Sequence, residues 1–231
     1  MRVMLMLLLG AMLTWATHLR AAPACAEREL TVTAQVHDYV HVQPAQLLRS
    51  RELVAQIYGK IGVRVDWLAT VQQPVRRTES EVADITRTAE IAQLTVIIET
   101  GEMAARGSIP DGVLGYAVVP VDGGMGRIAY VIYDRVHQIA RESGRHESNL
   151  LAFVIAHETG HLLLGRGVRA PVGLMKCHWD RLDMQRIEAP RLKFSEAHAL
   201  RIRTALENRA PTDGGGACAT ASSVQPEPHL R

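Results

Sequence analysis

The 231-residue chain has few cysteines, few aromatic residues and almost no net charge. Its 3 cysteines do not have the spacing of a cysteine zinc cluster. Its formal charge is +2, and it contains neither a basic stripe nor interleaved aromatic residues. These absences argue against a nucleic-acid partner. The apolar fraction of 47% is nevertheless sufficient for a sizeable core.

Motifs of several other enzyme classes are also missing. No serine lies in a G-x-S-x-G turn, so no Ser-His-Asp arrangement can be singled out. The glycine-rich stretch P-V-D-G-G-M-G is followed by neither Lys-Ser/Thr nor a helix, which excludes a phosphate loop. We find no internal repeat, and the length suits one domain with tails.

The first 24 residues have the pattern of a secretory signal peptide. Arg2 precedes an apolar run that is too short for a comfortable membrane span, and small residues suitable for cleavage follow. We therefore expect a secreted or periplasmic protein without a stable membrane span after cleavage. Cys25, directly after the leader, leaves a lipid anchor as an alternative, and an uncleaved anchor is another.

The exported chain is predicted to comprise a folded domain at residues 25–209 and a disordered tail at 210–231, which is rich in Gly, Ala, Ser and Pro. An oxidising compartment favours one disulfide with one cysteine left over. The sequence leaves all three pairings among Cys25, Cys177 and Cys218 open.

Hydrophobic periodicity predicts an α/β fold with a mixed twisted β-sheet. The predicted strands are 29–39, 63–68, 94–99, 114–119 and 127–133. The predicted helices are 44–61, 134–142, 150–164, 182–187 and 194–208. Loops are expected at 72–87 and 101–112. The first two strands should form a βαβ unit, the apolar third strand should be central, and the last two should form a hairpin.

The most informative stretch is Ala152 to Gly165, which reads A-F-V-I-A-H-E-T-G-H-L-L-L-G. Histidines four apart on a helix lie on the same face, so His157 and His161 can bind one Zn²⁺. Glu158 is rotated about 100° away and can reach water beside the metal. Ser148 is predicted to cap this helix and Gly165 to end it.

The apolar surroundings predict that this H-E-x-x-H helix is buried, with the sheet packed on it and a small helical subdomain after it. The alternative is two satisfied core histidines with a surface glutamate. The remaining histidines alternate with apolar strand positions or lie in polar surroundings and are predicted to be unremarkable surface residues, among them His37, His41, His137, His146, His198 and His229.

The chain resembles a group of small, exported bacterial zinc peptidases of metzincin-like character. The resemblance is carried by H-E-T-G-H-L-L-L-G at 157–165, Gly-Leu-Met at 173–175 and Trp179, with I-G-V-R-V-D-W at 61–67 as a weaker match. It implies a zincin-like fold, Zn²⁺ as cofactor and a methionine turn in which Met175 lies beneath the metal. The alternative for Met175 is an ordinary core methionine.

The third zinc ligand departs from that pattern. Arg169 stands where the group places its third histidine, and a protonated arginine has no lone pair to donate. His178 or Asp180, which follow the Gly-Leu-Met segment, can take its place. A more distant ligand, Glu188 or Glu196, is a second possibility. A degenerate site, in which Arg169 repels the cation, is a third.

These observations predict a secreted zinc metalloendopeptidase that acts on a peptide or protein substrate, with Glu158 as general base and His157, His161 and His178 as metal ligands. An edge strand within 114–133 is expected to bind extended peptide. One alternative is a catalytically degenerate zincin-like module that binds peptide or a protein partner. Another is a hydrolase of non-peptide amides or esters.

Overall fold

The computed structural model describes residues 29–68, 93–122 and 124–209. The predicted signal peptide, the loop at 72–87 and the C-terminal tail lie outside these residues. The described strands are β1 Leu30–Asp38, β2 Val63–Trp67, β3 Gln93–Glu99, β4 Gly115–Val118 and β5 Ile128–Ile132. The described helices are α1 Pro44–Gly59, α2 Gly101–Arg106, α3 Tyr133–Ser143, α4 Glu147–Leu164, α5 Arg181–Glu188 and α6 Glu196–Glu207.

The described strands form one mixed sheet in the order β2-β1-β3-β5-β4. β1 is parallel to β2 and β3, β3 is parallel to β5, and β4 is antiparallel to β5. The central position of β3, the β1–α1–β2 unit and the β4–β5 hairpin are all confirmed. The antiparallel strand β4 lies at one edge of this sheet. Main-chain groups on its outer side can therefore pair with another chain.

One face of the sheet builds the core. Apolar side chains alternate along β1 and β3, so that Val32, Val36, Val96 and Ile98 all point to the same face and are buried. α1 and α4 pack in this layer and also contact each other. The confirmed fold class is therefore α/β, with a mixed sheet packed on the buried H-E-x-x-H helix.

α4 is apolar on nearly all sides because it is enclosed by the sheet and by other helices. It ends at Gly165, as predicted, with φ 85° at that residue. Its beginning is different: the N-cap is His146, and Ser148 lies in the first turn. The reason is a tertiary contact, since the Glu188 carboxylate accepts a hydrogen bond from the His146 backbone N–H at 3.1 Å.

Two further boundaries differ from the prediction. Residues 101–106 form the short helix α2 within the predicted loop, because the Thr100 side chain accepts a hydrogen bond from Met103 N–H at 3.1 Å and caps it. α1 ends at Gly59, and the positive φ of 75° at Gly62 falls in the turn that follows. The Thr100 cap is a single local contact, which the apolar pattern does not encode.

The small C-terminal helical part consists of α5 and α6, which both pack against α4. The predicted cap of α6 is confirmed, because the Ser195 hydroxyl accepts a hydrogen bond from His198 N–H at 3.2 Å. Across residues 29–68, 93–122 and 124–209, no helix has the length and hydropathy needed to cross a membrane.

Candidate metal centre

His157 and His161 point their Nε2 atoms at each other from successive turns of α4. The two atoms are 3.1 Å apart, and the ring centroids are 4.8 Å apart. Two nitrogen ligands of one tetrahedral Zn²⁺, each about 2.0–2.1 Å from it, lie about 3.3 Å apart. The pair is thus already close to the separation that a shared zinc ion requires.

A hydrogen bond at the other ring nitrogen of His157, Nδ1, determines which tautomer the imidazole adopts. Nδ1 lies 2.7 Å from the carbonyl oxygen of Leu174, so Nδ1–H donates and Nε2 keeps its lone pair for a metal. Burial lowers the pKa of His157. Burial also lowers the pKa of His161 to about 4, with smaller contributions from His157, Arg169 and His198. Both imidazoles are therefore neutral at neutral pH, as metal ligands must be.

The carbonyl of Leu174 belongs to the Gly-Leu-Met segment, which turns beneath α4. Gly173 has φ 82°, and a Cβ there would lie 2.8 Å from the carbonyl oxygen of Lys193. The same carbonyl accepts a hydrogen bond from Leu174 N–H at 2.8 Å. This turn thus holds a main-chain acceptor directly under His157.

Met175 follows in this turn and packs against α4 between the two histidines. It is 1% exposed, and its sulfur would be 2.8 Å from a Cβ at position 160. Gly160 therefore lets Met175 approach the helix backbone more closely than any larger residue would. The structure places the sequence-predicted Met175 beside the histidine pair, and it also shows why glycine stands between them.

Glu158 extends from α4 toward β4 and is 7% exposed. Gly115 makes room for it, since a Cβ at that position would lie 2.8 Å from Glu158 Cγ. Burial raises the pKa of Glu158 to about 8. In the described part of the chain no side chain donates a hydrogen bond to this carboxylate. Its proton affinity near neutral pH suits a general base.

A cavity of about 910 Å³ opens over these residues. The edge strand β4 forms one wall, the histidine pair and Glu158 form the floor, and the segment after α4 forms another wall. The lining residues from that segment include Arg166, Arg169, Lys176, Cys177, His178 and Trp179.

The candidate third ligands have different positions. His178 is exposed and lines the same cavity as the histidine pair. Asp180 caps α5 through hydrogen bonds from Leu182 and Asp183, and it also pairs with Lys176. Glu188 binds His146 at the opposite end of α4. Glu196 is exposed on α6 and does not line the cavity.

In residues 29–68, 93–122 and 124–209, no three His, Cys, Asp or Glu side chains are grouped closely enough to hold a metal ion. The histidine pair fits Zn²⁺ in donor type, tautomer and separation. His178 has a side chain of the kind that binds Zn²⁺ and lines the same cavity. Arg169 lines that wall too, and its charge contributes to the lowered pKa of His161.

The prediction of a surface position was wrong for His198. It is 8% exposed, and its Nδ1 has no hydrogen-bond partner among the described residues. The spacing of His198, Ile202 and Leu206, each four residues from the next, places them on one face of α6 and could have indicated this burial. His37, by contrast, is exposed on β1 as predicted.

Other features were not found from the sequence. The Leu174 carbonyl and the spaces above Gly115 and Gly160 involve backbone atoms, which have no residue signature. Cys177 is an exposed free thiol on the cavity wall. Because Cys177 is free, neither of the two pairings that involve it is formed. The third pairing, between Cys25 and Cys218, lies outside the described residues.

No protein-family model matches this chain, and no curated protein matches it. Its fold is similar to that of an archaemetzincin from Methanopyrus kandleri (TM-score 0.42, 14% identity, covering 78% of this chain and 96% of that one). It is similar to a zinc-dependent peptidase from Methanocorpusculum labreanum (TM-score 0.44, 13% identity, 74% and 99%). It is also similar to metalloproteinase-II from Bacteroides fragilis (TM-score 0.43, 12% identity, 78% and 54%).

Proposed function

We propose that this protein is a secreted zinc-dependent metallopeptidase. The observation that carries the proposal is the pair of neutral imidazoles whose Nε2 atoms are 3.1 Å apart, next to the buried carboxylate of Glu158. A purely structural histidine pair would not need a cavity of about 910 Å³ above it. Export is supported by the leader pattern of the first 24 residues.

His157 and His161 would hold Zn²⁺, with His178 as the proposed third ligand. A bound Zn²⁺ supplies Lewis acidity, which polarises a peptide carbonyl and acidifies water. The Leu174 carbonyl keeps Nε2 of His157 unprotonated and directed at His161. Met175 supports this part of α4 from below.

Glu158 acts as the general base. It accepts a proton from the attacking water and passes that proton to the leaving amine. Burial alone keeps the Glu158 carboxyl protonated at neutral pH, because it raises its pKa to about 8. A cation between His157 and His161 would stabilise the charged form and lower this pKa, so metal binding would switch Glu158 to the basic state.

The edge strand β4 would hold the substrate. It lines the cavity, and in the described sheet only β5 pairs with it. An extended peptide can therefore add as a further strand through main-chain hydrogen bonds. This mode of binding would place the peptide backbone across Glu158, whose side chain packs against Gly115 of the same strand.

The test compares wild type, Glu158→Gln and His157→Ala for zinc content and for cleavage of casein or a peptide. We expect Glu158→Gln to retain zinc and to cleave at least about 100-fold more slowly, because it removes only the general base. His157→Ala should lose zinc and activity together. Cleavage that survives in Glu158→Gln, or pure protein without zinc, would contradict the proposal.

A second candidate function is a degenerate zincin-like module that binds peptide or a partner without cleaving it. The observation that favours it is Arg169 on the cavity wall, in a described region that lacks a three-residue metal group. The discriminating variants are Arg169→His and His178→Ala. If Arg169→His gains zinc affinity and cleavage, the natural site is degenerate. If Arg169→His has no effect and His178→Ala loses zinc, the natural site is active.

A further inference from the structure

The cavity beside the proposed metal site has an unbalanced charge. Arg166, Arg169 and Lys176 line it, whereas Glu158 is the only Asp or Glu among the described lining residues. Glu158 lies on the floor and is buried, and both arginines are exposed. The wall after α4 therefore presents positive charge to anything that enters.

Two of these cations have no counter-ion among the described residues. Lys176 pairs with Asp180 at 2.5 Å and with Asp183 at 2.6 Å, so its charge is already compensated. Within the described residues, no Asp or Glu side chain forms an ion pair with Arg166 or Arg169.

In the part of the chain that the structure describes, the side chains of Arg166 and Arg169 also form no hydrogen bond that would hold the fold. A positive charge stabilises the C-terminal end of a helix, and Arg201 supplies that charge for α4. Its Nη2 donates a hydrogen bond to the Leu164 carbonyl at 3.0 Å. The turn that follows is formed by Gly165 and Gly167, with φ of 85° and 73°. This turn places Arg166 between two glycines at the rim of the cavity.

We propose that Arg166 and Arg169 form an anion subsite that selects peptides carrying a carboxylate close to the bond to be cleaved. The inference rests on the proposed function insofar as the cavity must accept peptide. A guanidinium matches a carboxylate through two parallel hydrogen bonds, and β4 supplies main-chain groups for the adjoining backbone. The carboxylate belongs either to an acidic side chain or to the free C-terminus of the substrate.

The experiment measures equilibrium binding of labelled peptides to the full-length Glu158→Gln protein, which we expect to hold substrate without cleaving it. Four peptides of one otherwise neutral sequence are compared: with Glu or Gln at one position, and with a free or amidated C-terminus. We expect one carboxylate-bearing peptide to bind about tenfold more tightly than its neutral partner. Which one does so distinguishes an acidic side chain from a chain end.

Arg166→Gln/Arg169→Gln should remove this preference and leave the affinity for the neutral peptide nearly unchanged. Arg166→Lys/Arg169→Lys should restore part of it, since lysine keeps the charge without the planar fork. The matched control is Arg191→Gln/Arg209→Gln, which removes the same charge from exposed positions outside the cavity lining. High salt should weaken the preference because both arginines are exposed.

Equal binding of charged and neutral peptides, a preference that persists in the Arg166→Gln/Arg169→Gln variant, or no binding of any peptide would overturn the inference. Loss of the preference in the Arg191→Gln/Arg209→Gln control would do so as well, because net charge would then explain it. The proposed function is judged separately by zinc content and cleavage in the wild type. If the protein binds acidic peptides selectively but does not cleave them, the proposed peptidase activity is contradicted and the proposed anion subsite is not.

Discussion

At the scale of single residues, the site depends on glycines, which have no side chain. Gly115 is the clearest example, because its missing Cβ is what leaves space for Glu158 beside β4. A Cβ there would lie 2.7 Å from the Tyr130 carbonyl oxygen and 2.8 Å from Glu158 Cγ. Backbone atoms cannot move aside as a flexible side chain would, so the positions of Glu158 and of this glycine constrain each other.

Gly115→Ala should lower the free energy of unfolding by about 1–3 kcal/mol, because the added methyl group overpacks the contact between β4 and α4. Displacement of Glu158 should also lower activity. Denaturant unfolding and a peptide assay measure the two effects. Gly59→Ala is the matched control, since a Cβ at Gly59 meets nothing within 4 Å. Equal stability of Gly115→Ala and wild type would contradict this account.

A second prediction at this scale concerns pH and the metal-free protein. The Glu158 pKa is about 8 in the folded chain and 4.5 for the free group, so folding favours its protonated form. The protonated Glu158 carboxyl therefore contributes most to the free energy of unfolding below about pH 4.5. This contribution is lost as the pH rises through about 8, by up to about 1.4 kcal/mol per pH unit.

The measurement is denaturant unfolding of wild type and Glu158→Gln across this pH range with a chelator present. Glutamine cannot ionise, so the wild type should become progressively less stable than the variant as the pH rises. A difference that is constant with pH would show that the Glu158 carboxyl does not titrate as described.

At the scale of elements, α4 is held at three places along its length. Glu188 binds His146 at its beginning, and Arg201 binds the Leu164 carbonyl at its end. In the middle, Tyr58 of α1 donates to Thr159 Oγ1 at 2.9 Å, and Thr159 in turn donates to the Ile155 carbonyl at 2.7 Å. These contacts fix the rotation of the helix, and with it the direction in which both histidines point.

Tyr58→Phe should lower the free energy of unfolding by about 1 kcal/mol or somewhat more, because the Thr159 oxygen loses its buried donor. The ring of residue 58 keeps its packing against Phe194, so the fold should be retained. Chemical denaturation measures the effect. Tyr39→Phe serves as the control, since Tyr39 is 58% exposed. A loss as large in Tyr39→Phe would mean that the buried hydrogen bond is not the cause.

At the scale of the whole molecule, the candidate metal centre is assembled from distant parts of the chain. α4 supplies the histidines and Glu158, the hairpin strand β4 supplies the wall with Gly115, and the Gly-Leu-Met turn supplies the Leu174 carbonyl. The site therefore exists only in the folded state. A metal that binds there must stabilise the folded protein relative to the unfolded chain.

Zinc at about 100 times its Kd should raise the free energy of unfolding by about 2.7 kcal/mol. His157→Ala and His161→Ala should each remove most of this increase, whereas the exposed His37→Ala should retain it. Thermal or denaturant unfolding with zinc or with a chelator measures the difference. Stabilisation that persists in both α4 histidine variants would place the metal elsewhere.

Much of this architecture could be predicted from local pattern. The alternation of apolar residues in β1 and the continuous apolar run of β3 indicated a sheet with β3 at its centre, because burial on a pleated surface has period two. The order H-E-x-x-H indicated the facing histidines, because positions four apart share a helix face. The start of α4 and the helix α2 were mispredicted, because caps are single contacts rather than repeating patterns.

The sequence by itself determined which residues carry imidazole and carboxylate groups at the spacing of a metal site, since periodicity and donor chemistry reside in the residues. Tertiary structure alone decided that His157 presents Nε2 rather than Nδ1, and that Gly115 makes room for Glu158. Those outcomes depend on a main-chain carbonyl and an empty volume. Neither has a sequence signature, because each forms only when distant segments meet.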